Sequence, residues 1–412
     1  MDIAIIGGGP AGLSAAIKAV EEGAKDVWVI ERSSRLGGIL NQCIHHGFGV
    51  HVFKEELTGP EYAQRLIDRA CELGVNFALG STVIDISSDR RLTYASEEGL
   101  VEAFPGAVIL TMGCRERPRG AIGIPGGRGV GVYSAGTAQA LVNMKGFSLG
   151  KRVVILGSGD IGLIMARRMT LEGAEVLGVY EVMPHSGGLK RNIAQCLNDY
   201  DIPLHLSHTI TRVVGSTRVE GVFTAKVDEK LNPILSTEEF VPCDVLLLSV
   251  GLIPENELSV KMGVKLSEIT GGAVVNSRLE TNIPGVFAAG NALHVHDLVD
   301  YVTGEAFDAA TNAVRFLNGG FAPGKCVDVV AGQGVRYTVP MSIIWESPDK
   351  TCTISFRSVN VLSPAVIKIH ADGNIIRTIN KKVVLPSEME RVRFKLKNPA
   401  TEVKITAESE AV

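Results

Sequence analysis

Gly7, Gly9 and Gly12 in IAIIGGGPAGLSAA, with Pro10 and Ala11 between them, have the types and spacing to cradle a pyrophosphate. Gly157, Gly159 and Gly162 repeat the pattern in VVILGSGDIGLIMA, with Asp160 and Ile161 in the corresponding places. In such a turn the first glycine permits the tight passage from strand to helix, and the second lets the backbone approach the phosphates. The third lets helix and strand pack closely. The helix N-terminus then offers unpaired N–H groups and the positive end of its dipole to the anion. An acidic residue roughly 20 positions on hydrogen-bonds ribose hydroxyls. Glu31, followed by Arg32, closes VWVIER after the first copy, and Glu181 closes VLGVYE after the second. One such site would mark a nucleotide binder. Two in one chain predict two dinucleotides held together, so that electrons pass between them.

A second chemistry-bearing group is His294, His296, Asp297 and Asp300 in NALHVHDLVDY. His-x-His-Asp invites a metal reading, but no second ligand cluster accompanies it and hydride chemistry needs no ion. No metal site is predicted; these residues are expected to shape the active site or a partner-facing surface. Arg115, Arg117 and Arg119 in RERPRGAIGIP either attract an anionic cofactor or acidic partner, or anchor a solvated loop through local ion pairs. The seven cysteines are scattered, with no CxxC. That excludes a thioredoxin-like dithiol of that spacing and supplies no zinc or iron–sulfur pattern.

The elements that must position these residues alternate in kind. DIAIIGGG reads as a buried strand, followed by an Ala-rich helix, the strand DVWVIE and a helix over Pro60–Leu73. AVILTMG is a strand ending at Thr111 and Gly113. Residues 115–125 read as a crossing linker. From Gly131 to Gly251 the plan repeats, with strands over 153–156 and 175–180 and DVLLLSVG ending in an echo of TMG. TRVEGVFTAKV looks like a β-meander. TNIPGVFAAGN returns to a strand, and a helix is expected from about Gly304 to Leu317. Past a Gly-, Pro- and Lys-containing boundary at 319–325, short alternating runs (VRYTVP, CTISF, VIKIH, IIRTI, VRFKL, VKITA) predict a small β-sandwich. Asp372-Gly373 between two of them is a type I′ hairpin signal.

A chain of 412 residues predicts two or three domains at the usual ~100–200 residues each. Its formal net charge of −4 gives no basic excess for nucleic acid and no like-charge block for an interaction tail. No apolar run approaches the ~18 residues that span a membrane, and the first strand begins at Asp2, leaving no room for a signal peptide. A reduced, cytoplasmic setting is expected.

Together these motifs resemble the two-dinucleotide-binding-domain flavoproteins, the pyridine nucleotide-disulfide oxidoreductase-like family. The resemblance covers about residues 1–325. It rests on the first glycines with Glu31, Leu36-Gly37-Gly38, the TMG strand end, Ile124-Pro125-Gly126, the second glycine set and TNIPGVFAAGN. It implies an α/β fold with two Rossmann-like domains, one inserted in the other, and a small C-terminal β-sandwich-like domain. Residues 1–114 and 253–325 would form the FAD-binding domain, 115–252 the NAD(H)-binding domain, and 326–412 the β-rich appendage, expected to serve docking or oligomerisation.

By the same resemblance, Glu31 holds the adenosine ribose of FAD and Gly37-Gly38 lie against its pyrophosphate. Gly290 stands in the family's Gly-Asp motif, where Asn291 replaces an aspartate that contacts the ribityl chain; an asparagine oxygen still accepts that bond. A carboxylate at Glu181 favours NAD over NADP, because it accepts from a 2′-hydroxyl and repels a 2′-phosphate. NQCIHHGFG, GCRERPRGA and HVHDLVDYVT look like the FAD/NAD subunits of heteromeric dehydrogenases, including cyanide synthase, opine oxidase and glycerol-3-phosphate dehydrogenase-associated proteins.

Disulfide reductases of this family carry a redox-active cysteine pair beside the flavin, in the region where Cys43 stands alone. Cys43 would either cycle through a sulfenic acid or mixed disulfide, as in the NADH oxidase and peroxidase relatives, or pack as a small side chain near the flavin ring. His45 and His46 follow; on an extended segment they point oppositely, so one at most faces the flavin to stabilise charge or relay a proton. Cys43, His45 and His46 are thus the catalytic candidates. The resemblance implies hydride transfer between NAD(H) and FAD. It also implies electron exchange with a partner flavoprotein dehydrogenase subunit that acts on a small metabolite. The alternatives are a stand-alone NADH oxidase or peroxidase using Cys43, and a structural flavoprotein subunit. An oligomer is expected.

Overall fold

The computed structural model describes residues 1–409. They cluster into two units, Met1–Cys114 with Pro254–Val412 and Arg115–Ile253. The first unit is built on a five-stranded, wholly parallel sheet. Its order is Val286–Ala288, Ala107–Leu110, Ile3–Ile6, Val27–Ile30 and Asn76–Ala78. Strands Ile3–Ile6 and Ala107–Leu110 are buried along their whole length, as their unbroken apolar runs require in a sheet covered on both faces. Strand Val286–Ala288 is supplied only after the chain returns from the second unit. This one sheet is therefore assembled from two separated stretches of chain.

Helices Pro10–Glu21 and Val299–Leu317 pack against each other over this sheet, and Ala15, Ala16, Ala19, Ala306, Ala309, Ala310 and Ala313 on them are all buried. Small side chains permit that close approach. Helix Val299–Leu317 begins a turn before the expected Gly304. Gly304 is tolerated inside it because burial of Val302 and the alanine stripe outweighs the ~1 kcal/mol helix penalty of one glycine. Helix Gly59–Glu72 is stopped at its N-terminus by a Thr58/Glu61 capping box. The three-stranded antiparallel sheet Thr82–Ile86, Leu92–Ser96 and Gly99–Ala103 has no counterpart in the sequence expectations.

The second unit repeats the plan with parallel strands Val132–Ser134, Val245–Leu248, Arg152–Leu156, Glu175–Glu181 and Leu204–Leu206. The meander is an antiparallel sheet of His208–Val214, Gly221–Lys226 and Glu239–Val241.

Residues 325–409 form a β-sandwich with one shared core. Its larger sheet runs Ser342–Trp345, Lys325–Ala331, Glu402–Ser409, Ala365–Ala371 and Asn374–Lys381; the smaller runs Val335–Val339, Thr351–Ser358 and Glu390–Lys395. Ile367, Ile369, Val403 and Ile405 face Ile354, Phe356, Val392 and Phe394 across the middle, the period-2 alternation that a sandwich demands. Asp372 and Gly373 both take positive φ (46° and 83°), as a type I′ turn needs. Lys325–Ala331 and Ser342–Trp345 add two strands beyond the six anticipated. The sandwich belongs to the first unit: Met341 donates to the Val275 carbonyl at 3.0 Å, and Arg278 grips Glu346 at 2.7 Å.

Candidate functional site

Gly7 (φ +108°) turns the chain out of strand Ile3–Ile6, and its N–H bonds the Ile30 carbonyl at 2.9 Å. Thr111, at the end of the adjacent strand, donates from Oγ1 to the Ile6 and Gly7 carbonyls. Gly9 is the N-cap of helix Pro10–Glu21, with Pro10 opening its first turn and Ala11 buried behind it. A Cβ on Gly9 would meet nothing within 4 Å. The helix end is thus bare where an anion would approach. Gly37 donates to the Gly8 carbonyl at 2.9 Å, and a Cβ on Gly38 would lie 3.0 Å from Gly9 Cα, so Gly37-Gly38 form the second wall of a glycine-lined cradle. Buried Glu31 accepts the Gly8 and Ser33 N–H groups, each at 2.7 Å. Its carboxylate shapes the loop and keeps lone pairs for further donors. Arg32 is exposed.

The second unit reproduces this almost bond for bond. Gly157 (φ +95°) donates to the Tyr180 carbonyl at 2.7 Å. Ser249 takes the place of Thr111: its N–H bonds the Leu156 carbonyl at 2.7 Å, and its Oγ accepts the Gly162 N–H at 3.1 Å. Glu181 accepts the Ser158 N–H (2.8 Å), the Ser158 hydroxyl (2.6 Å) and the Met183 N–H (3.0 Å). Asp160 opens helix Asp160–Leu171 and accepts from Leu189 N and Asn192 Nδ2. It therefore fastens the loop that carries Gly187-Gly188, beside the half-buried Ile161. That second Gly-Gly pair follows Glu181 at the same spacing as Gly37-Gly38 follows Glu31. The sequence expectations omitted it, although the repeat signal was there to read. Gly113 and Gly251, ending the echoed strands, both have positive φ and open space around a notional Cβ.

Gly290 (φ +71°) ends strand Val286–Ala288 against the first cradle, where an added Cβ would come within 2.8 Å of the Ala11 Cβ. Asn291 Oδ1 accepts the His296 N–H at 3.1 Å, and its Nδ2 lies 3.5 Å from Cys114 Sγ. Behind them Glu305, which the sequence expectations missed, accepts the Gly290 N–H at 2.8 Å and a bond from His294 Nε2 at 2.7 Å. His296 Nε2 is 3.3 Å from the same oxygen. Burial works against charge on Glu305, but the imidazoles of His296 and His294 outweigh it and hold the carboxyl well below the usual carboxylate range. Burial also holds His294 below its ordinary value. The three ligand atoms lie within 4.8 Å of one another. Glu305 thus fixes Gly290 through one carboxylate oxygen while its other oxygen is hydrogen-bonded to His294.

Asp300, in the first turn of helix Val299–Leu317, accepts backbone N–H groups from Gly49 (3.1 Å), His51 (3.0 Å) and Val52 (2.8 Å). It is thus the fastener of the loop after Cys43, neither a ligand nor a free surface charge. Asp300→Ala is expected to cost roughly 2–3 kcal/mol by orphaning these donors. Limited proteolysis should then cut first within residues 44–53; unchanged cleavage kinetics would contradict the assignment.

Cys43 caps the short 3-10 helix Gly38–Gln42, with Sγ 3.3 Å from the Ile39 carbonyl and its own carbonyl accepting Gly59 N–H. Burial pushes its thiol up to about 12, the opposite of the depression a nucleophilic cysteine needs. His45 is half-buried, with its ring 5.0 Å from Phe48, and His46 is exposed. In the linker, Arg119 bonds the carbonyls of Ile124, Pro125 and Gly127. It anchors its own loop.

No helix among the described residues is long and apolar enough to cross a membrane. The family model for the pyridine nucleotide-disulphide oxidoreductases matches residues 1–315. The chain is 26% identical over 315 residues to hydrogen cyanide synthase subunit HcnB of Pseudomonas protegens, a match covering 70% of this chain and 65% of that protein. It is 26% identical over 285 residues to an opine oxidase subunit of Agrobacterium tumefaciens, covering 64% of this chain and 55% of that one. The chain thus spans less than two thirds of the length of these two relatives. Among solved structures, the thioredoxin reductase of T. acidophilum superposes with a TM-score of 0.63 at 26% identity, over 76% of this chain and 97% of that enzyme.

Proposed function

From the premise that the chain belongs to the pyridine nucleotide-disulphide oxidoreductase family, we propose that it passes hydride between NAD(H) and FAD and exchanges the electrons with a partner dehydrogenase subunit. The membership itself makes the chain an FAD- and pyridine-nucleotide-dependent oxidoreductase. Residues 1–114 and 253–325 are assigned to FAD, and residues 115–252 to NAD(H). The observation that carries the proposal is the duplicated cradle, in which each glycine loop is held by its own buried glutamate. When bound, FAD and nicotinamide supply the redox chemistry between flavin N5 and nicotinamide C4. The chain's own part is to seat each pyrophosphate at a bare helix N-terminus, orient each ribose against Glu31 or Glu181, and hold Gly290-Asn291 in place through Glu305.

Two observations support a partner as the outlet for electrons. HcnB and the opine oxidase relative are both named as subunits. Cys43 is half-buried, and burial pushes its thiol up to about 12, the opposite direction to the one a peroxidatic thiolate needs. The metabolite belongs to the partner. A cytoplasmic setting accords with the free cysteines.

Anaerobic NADH added to the purified chain is expected to bleach the flavin, with slow reoxidation by air that Cys43→Ser changes less than about twofold. Absence of bleaching would sink the hydride step and leave the alternative of a purely structural flavoprotein. Rapid turnover with oxygen or peroxide, lost in Cys43→Ser, would replace the partner by the oxidase/peroxidase alternative.

A further inference from the structure

Within the first unit, the C-terminal sandwich meets the segment that follows Gly290-Asn291. Arg357, on strand Thr351–Ser358, is 13% exposed and sends Nη2 to Asp297, itself 13% exposed, and to the Val295 carbonyl at 3.3 Å. Its remaining donors go to Tyr337 Oη (3.2 Å) and to the Pro386 and Ser387 carbonyls. The other Asp297 oxygen accepts the Met389 N–H at 2.6 Å. His296, the residue before Asp297, donates its backbone N–H to Asn291 Oδ1. Two residues of the sandwich thus grip one carboxylate, and one peptide bond away that chain holds the side chain after Gly290. A second contact runs parallel: Arg391 lies over the Tyr301 ring at 4.7 Å, and Tyr301 stacks on His51 at 5.7 Å, in the loop fastened by Asp300.

We propose that the C-terminal sandwich is a working part of the flavin half, and that Arg357 is a positioning residue that sets the Gly290–Asp297 loop for FAD. This rests on the assignment of FAD to the first cradle. A half-buried arginine that spends its whole fork on one loop and its own scaffold is strongly oriented, and an ion pair of this kind is costly to break from one side. An appendage serving only oligomerisation has no need to place such a pair against this loop. The effect runs through Asp297 to the orientation of Asn291 and does not require Arg357 to touch the cofactor.

The test uses the full chain and measures FAD affinity of Arg357→Met, Asp297→Asn and the double variant by flavin fluorescence. Trp345, whose Nε1 bonds the Leu396 carbonyl inside the sandwich at 2.8 Å, reports folding of that domain in a Trp28→Phe background. Each single variant is expected to bind FAD at least tenfold more weakly, with unchanged Trp345 emission. The double variant should be no worse than either, because both remove one interaction. Arg357→Lys, which keeps the charge but not the fork, should recover part of the loss. FAD affinity within twofold of the parent overturns the proposal. A shifted Trp345 signal in both single variants also overturns it, since the pair then only holds the sandwich together. A parent chain that binds no FAD sinks the functional assignment itself, which is a distinct result.

Discussion

Gly12→Ala is expected to give a chain that no longer retains FAD and has a destabilised first unit. Gly9→Ala, three residues away, should fold normally and bind FAD about 10- to 100-fold more weakly. The two glycines do different work. A Cβ on Gly12 would sit 1.8 Å from the Gly7 carbonyl oxygen and 3.0 Å from Thr111 Oγ1. The obstructing atoms are mainly backbone of the turn itself, which is tied to Ile30 by hydrogen bond. The helix must move off the strand, and overpacking of that severity costs ~3 kcal/mol or more. Gly9 has ordinary extended backbone (φ −76°, ψ −174°) and open space in front of it. Stability should therefore stay within about 0.5 kcal/mol of the parent. Its new methyl projects where the phosphates must approach the helix N-terminus, and a tenfold to hundredfold loss is about 1.4–2.8 kcal/mol. Melting of the cofactor-free proteins and FAD titration check both. A Gly12→Ala chain with parental affinity would show that the cradle is elsewhere.

The second large effect concerns the nicotinamide cofactor. NADH is expected to reduce the bound flavin about 100-fold more efficiently than NADPH, and Glu181→Gln should narrow that ratio below about tenfold. Glu181 is 8% exposed and is anchored by three donors from its own loop. It cannot swing aside to admit a 2′-phosphate. A like charge forced against it costs several kcal/mol. The glutamine variant loses the repulsion, and also a charge-assisted bond to the ribose of ~1.5–3 kcal/mol, so its NADH efficiency should fall about tenfold or more. Single-turnover rates with both cofactors decide the matter; preference for NADPH in the parent would overturn the assignment.

The comparison between the two cradles shows what local sequence can specify. A buried parallel strand, a glycine turn and a helix start are set by residues a few positions apart, so Gly7, Gly9 and Gly12 and their repeats were legible as an unbroken apolar run meeting a glycine triplet. So were Glu31 and Glu181, one strand further on. The type I′ turn at Asp372-Gly373 was equally local, because positive φ selects its residues. Gly187-Gly188 was legible too, through the repeat, and was overlooked.

Other features had no local signature. Helix Val299–Leu317 starts before Gly304 because its alanine face packs on helix Pro10–Glu21, a contact made across most of the chain. Asp300 resembled part of a ligand motif, yet its partners are backbone amides some 250 positions earlier. Cys43 had the position of a redox thiol, and only its packing shows that burial pushes the thiol up, away from a reactive thiolate. Glu305 lies in a helix that was expected and Arg357 in an ordinary β-strand, but nothing local marked the partners of either side chain.

By itself, then, the sequence determined that this chain carries two dinucleotide-binding motifs, each a glycine turn followed by its own glutamate, since those motifs are short-range and sterically exacting. Only the tertiary structure decided which charged groups fasten the loops around them and that the C-terminal sandwich grips one of those loops. Such partners are chosen by where the backbone brings distant segments together, and burial then makes an unpaired charge too costly to leave.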